Sequence, residues 1–114
     1  MNVGSIVVVH LSQPNEKFWG VLEHLAQEGV TIRGINLNSF EDWMRGVARD
    51  EESLGLSTMF VPLFRVQRIF LDEQTGEVQS FQQRFEREVG ESVEAYLGLR
   101  TGSDDGGFDG GLVS

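Results

Sequence analysis

Apolar and polar positions change period several times along the chain, and each change marks an element. SIVVVHL, residues 5–11, is a β-branched run between Gly4 and a Ser-Gln-Pro-Asn cluster, which predicts a strand buried on both faces. From residue 39 the spacing becomes helical. Phe40, Trp43, Met44, Val47 and Ala48 share one face, Ser39 stands at the N-cap position, Glu41 and Asp42 occupy the first turn, and Asp42 would complete a capping box, so a short helix is predicted over about 40–49. STMFVPLFRVQRIFLDE then reads as a strand near 57–62, a tight turn through Leu63 to Arg65 and a strand near 66–72. Pro62 lacks the N–H of a sheet ladder, so it belongs at a strand end or edge. The Thr-Gly pair of DEQTGEV predicts a turn that returns a short further strand. Ser80 and Gln83 form a second capping box, after which Phe81, Phe85, Val89, Val93, Tyr96 and Leu97 keep helical spacing over about 81–97, with Gly90 placed to divide the helix.

KFWGVLEHLAQEGVTIRGINLN, residues 17–38, supports two readings. As a helix over 15–28 it has Asn15 as cap, a stripe of Phe18, Val21, Leu22, Leu25 and Ala26, and Gly29 at its C-terminus. As a hairpin it turns at Ala26–Gly29, with Leu25 facing Val30, Gly20 facing Ile35 and Phe18 facing Leu37. The inward series then runs 18, 20, 22, 25 on one arm and 37, 35, 32, 30 on the other, so both arms slip phase together, as a bulged and strongly bent hairpin requires. Gly20 and Gly34 lie where a sharp bend needs no Cβ, whereas Gly20 in a helix only lowers stability. The hairpin is the preferred reading.

With a hairpin the chain resembles Sm-like and SH3-like small β-barrels: strand, long bent hairpin, strand ending in Pro62, one-turn bridge, final strand. KFWGVLEHL and MFVPLFRVQRIF carry that resemblance, over roughly residues 5–72. It implies a mainly β (α+β) fold, a barrel over about 5–79 with an inserted helix at 40–49 and a C-terminal helix at 81–97. With a helix, residues 5–37 resemble the first half of the ACT regulatory domain, which implies an α/β sandwich that binds amino-acid-type effectors. SFEDWMRGVARDE inserts a helix where that family usually has none.

Composition narrows the function classes. The 114 residues suit one domain, 1–100, followed by a Gly/Asp-rich tail, 101–114, expected to be disordered with Phe108 able to dock on a partner. Without cysteine there is no disulfide or thiolate metal site, and no apolar run is long enough for a membrane span, so the expectation is a soluble, cytoplasmic chain without membrane contact. Eighteen acidic against nine basic residues give a net charge of −9, which repels nucleic-acid phosphates. Nucleic-acid binding is therefore disfavoured: no DNA partner is expected, RNA stays open but disfavoured, and a protein partner or further copies of the chain are favoured.

Candidate chemistry is sparse. His10, ending the first strand, and His24, near the hairpin turn, have no second ligand at metal-binding spacing; Asp72-Glu73 and Asp50-Glu51-Glu52 read as solvated carboxylates. No nucleotide-binding, hydrolase or metalloprotease signature occurs, and the expectation is a non-enzyme without cofactor or metal. Arg33, Arg65 and Arg68 are candidates for binding an anion or partner, since arginine meets phosphate or carboxylate bidentately. Trp19, Phe40 and Trp43 are interface candidates, because a small barrel holds few such rings. The expectation is a self-associating interaction module.

Overall fold

The computed structural model describes residues 1–51 and 54–98, which form an α+β fold on one antiparallel sheet. Five strands, β1 (Ile6–Leu11), β2 (Glu16–Leu25), β3 (Gly29–Asn36), β4 (Ser57–Pro62) and β5 (Val66–Leu71), lie in the order β4-β3-β2-β1-β5. Helix α1 (Phe40–Ala48) joins β3 to β4, and α2 (Phe81–Val89) and α3 (Val93–Leu97) follow β5. The Gly/Asp-rich tail and Phe108 lie outside the described residues, as does Glu52.

Residues 16–25 are a strand, so the helical reading of 15–28 fails, and with it the β-α-β opening of the ACT-like alternative. β2 and β3 form the hairpin and Leu25 faces Val30, but Gly20 faces Gly34 and Phe18 faces Asn36, not Ile35 and Leu37. The phase slips on one arm only. Between Leu22 and His24 a bulge leaves Glu23 unpaired, so 18, 20, 22 and 25 do share a face; β3 runs 30, 32, 34 without a break, and Ile35 belongs to the opposite face. A simultaneous slip is unnecessary because one extra residue already turns β2 about its axis.

The Gly20–Gly34 pair is the close approach that permits the bend. A Cβ on Gly20 would collide with the Arg33 carbonyl oxygen, and one on Gly34 with that of Trp19.

β4 and β5 are the two edges of the sheet, yet only the one-turn 3-10 helix Leu63–Arg65 separates them. Flat, five strands would put the edges about 19 Å apart, while the four Cα steps from Pro62 to Val66 reach at most about 14 Å. The sheet must therefore curl. No ladder joins β4 to β5 among the described residues, so the expected barrel is not closed.

Both faces are packed. The concave side holds Val7, Val9, Leu11, Leu22, Val30, Ile32 and Val61. The convex side packs Ile6, Val8, Trp19, Val21 and Ile35 against the three helices through Phe40, Trp43, Met44, Val47, Phe85 and Val93.

Several local expectations change. Ser39 makes no capping bond, because a 3-10 turn, Leu37–Ser39, precedes α1 and the Asn36 side chain accepts from the Asn38 N–H instead. The Ser80–Gln83 box forms, and Gly90, at φ 91°, ends α2 so that Ser92 can cap α3. DEQTGEV makes a turn with a single Thr75–Val78 bridge, not a strand.

Candidate functional site

The three aromatic interface candidates are consumed inside the molecule. Trp19, Phe40 and Trp43 are buried at 0, 1 and 3% exposure, with ring centroids 5.0 Å (Trp19–Phe40) and 5.5 Å (Trp19–Trp43) apart; Trp43 stacks on Phe85 at 5.2 Å. The helices need an apolar floor and these rings supply it, leaving no surface for a partner. The indole N–H of Trp19 donates to Asp72 at 3.0 Å, and Asp72 also accepts from the backbone N–H groups of Phe81 (2.8 Å) and Gln82 (2.9 Å). Asp72 is thus a buried tie between sheet and helix, and among the described residues no three metal-ligating side chains come together.

The exposed rings lie elsewhere, around the open seam. Phe64, in the turn joining β4 to β5, is 86% exposed, Phe60 on β4 57%, and Phe70 and Leu71 on β5 about 42% and 41%. β4 carries no charged residue and β5 only Arg68. Natural edge strands are usually protected by charge, bulge or cover, because their free N–H and C=O groups template pairing. The sequence signal was present in MFVPLFRVQRIF, where apolar residues occupy both phases, one more face than an edge strand can bury unaided.

The three arginines do not assemble. Arg33 lies on β3, opposite Val21 and Thr58, with β2 and β1 between it and Arg68 on β5. Arg65 binds the Ser12 and Pro14 carbonyl oxygens (3.2 and 2.8 Å) and pairs with Glu16 at 3.1 Å, which anchors the β4–β5 corner to the β1–β2 turn. Arg68 lies over the Phe70 ring at 5.9 Å.

Arg68 instead joins residues from two other strands. Lys17 on β2 faces His10 on β1, and His10 faces Arg68 on β5, which makes a cross-strand row of three basic side chains. Beside it opens a cleft of about 490 Å³ lined by His10, Glu16, Lys17, Asn36, Asn38 and Gln67, among others. Gln67 is the unpaired residue of a bulge in β5. Partial burial, then the charges of Lys17 and Arg68, lower the pKa of His10, whose ring meets Phe70 edge-on at 4.9 Å. The row was invisible in the sequence, since residues 10, 17 and 68 are brought together only by strand register.

Comparison with protein families, curated proteins and solved structures finds no match to this chain.

Proposed function

We propose that the protein is a non-catalytic, self-associating module in which β4 of one copy adds to β5 of the next, as its resemblance to Sm-like and SH3-like barrels implies. The observation that carries this reading is the pair of open six-residue edges, one uncharged, beside the exposed Phe60, Phe64, Phe70 and Leu71. Edge addition would satisfy both rows of backbone groups and cover Ile69 and Leu71, which face the concave core at the seam. Because β4 and β5 are different surfaces, the contact is head to tail, and a ring follows if the rotation per step closes. The acidic charge favours a protein over RNA as any further partner of such an assembly.

Light scattering on the purified chain tests the proposal. The expected result is an oligomer of roughly five to seven copies, converted to monomers by Phe60→Lys, which puts a charge on the bare edge, while circular dichroism stays unchanged. A wild-type chain that remains monomeric at about 100 μM would overturn the reading; interface pairs of standard size associate well below this concentration.

A further inference from the structure

The Lys17–His10–Arg68 row has electrostatics that the chain itself does not resolve. Lys17 and Arg68 flank His10 from the strands on either side of β1, and neither has a carboxylate partner among the described residues, although acidic residues outnumber basic ones two to one. Glu16, the carboxylate lining the cleft, is already paired with Arg65. Adjacent strands lie about 4.8 Å apart, so the two long side chains can converge from either side on one anion above the imidazole.

The cleft beside the row is built for more than a bare ion. Asn36 uses its side-chain oxygen to accept the Asn38 N–H at 2.8 Å, which leaves its amide nitrogen as a donor without a partner among the described residues. The β5 bulge brings Gln67 to the wall, a known use of bulges beside binding sites. At about 490 Å³ the cleft falls within the range of small-ligand sites.

We propose that the basic row and this cleft together bind a small phosphorylated molecule, its phosphoryl group held over His10 by Lys17 from the cleft wall and by Arg68 from beside the cleft, and its polar remainder met by Asn36, Asn38 and Gln67. A dianionic phosphoryl group suits the bidentate guanidinium and the ammonium better than a single carboxylate does. The net charge of −9 selects a compact anion over a nucleic acid, since every phosphate beyond the row would meet an acidic surface. Burial is the larger cause of the lowered His10 pKa, but a bound anion offsets the Lys17 and Arg68 charges that add to it, so the anion and the imidazole proton should bind cooperatively. The inference is independent of self-association, because it requires only β2, β1 and β5 of one copy.

The chain has two histidines, which makes imidazole NMR titration a direct readout, with His24 as internal reference. Inorganic phosphate, ribose 5-phosphate and a short RNA are added at matched phosphate concentration, with sodium chloride at matched ionic strength as control. The expected result is that both small phosphates perturb His10 and raise its pKa while His24 does not respond, with the sugar phosphate binding at least as tightly as phosphate. Lys17→Ala and Arg68→Ala, both at exposed positions, should each weaken binding about tenfold, and Arg87→Ala on α2 should leave it unchanged. A response that chloride reproduces, one insensitive to both substitutions, exclusion of the sugar phosphate, or binding of RNA alone would each overturn the proposal.

Discussion

Asp72 carries more of the architecture than any other polar residue described. Its carboxylate, 8% exposed, accepts from Trp19 on the sheet and from the first two N–H groups of α2, while Ser80 accepts the third, from Gln83. Four donors that a helix start and a buried indole would otherwise leave orphaned are therefore satisfied by two side chains. Hydrogen bonds to a charged acceptor contribute about 1.5–3 kcal/mol each and do not add fully, so Asp72→Ala is expected to lower stability by about 3 kcal/mol. Asp72→Asn, which keeps one acceptor oxygen, should lose less. Urea unfolding followed by tryptophan fluorescence checks both, and a loss below about 1 kcal/mol for the alanine variant would mean that water replaces the carboxylate.

At the scale of elements, the β2–β3 hairpin depends on two glycines meeting across strands. An added methyl on Gly34 would run into the Trp19 carbonyl oxygen, and backbone cannot yield as a side-chain tip can. Gly34→Ala should therefore destabilise by about 2–3 kcal/mol, the range of overpacking in a tight core. Gly55→Ala, with open space around its Cβ, should stay within about 0.5 kcal/mol. Equal effects in thermal unfolding would remove the close approach as the reason for the bend. The glycines were legible in the sequence, and so was the hairpin, but the face of Ile35 was not. Helices cover the convex side, so Trp19, Val21 and Ile35 there are as apolar as Leu22 and Ile32 on the concave side, and alternation no longer tells inside from outside. Edge positions were legible only in part: Pro62 and the two-phase apolar run around it point to an edge, but only the strand order shows which of Met59, Val61, Ile69 and Leu71 face an open seam. The basic row required two registers, β1 with β2 and β1 with β5, and one bulge, none of which leaves a mark in local spacing.

For the molecule as a whole, charge and edge act in opposite directions. Each copy carries −9, so bringing several together concentrates like charge, whereas strand addition at an uncharged edge and burial of Phe60 and Phe64 are nearly indifferent to ions. Salt shortens the Debye length from about 10 Å at 0.1 M to about 3 Å at 1 M, which screens the repulsion between subunits and leaves the apolar contact intact. Self-association is therefore expected to strengthen as sodium chloride rises from 0.05 to 0.5 M, by about tenfold or more in the dissociation constant measured by sedimentation equilibrium. An interface made of ion pairs would behave in the opposite way. Arg33 distinguishes the two: it lies beside Thr58 at the β3–β4 rim without an ion-pair partner among the described residues, and it could meet an acidic group of the neighbouring copy. If association instead weakens with salt and Arg33→Ala removes that dependence, charge rather than the apolar seam holds the copies together, and the bare edge is not what drives assembly.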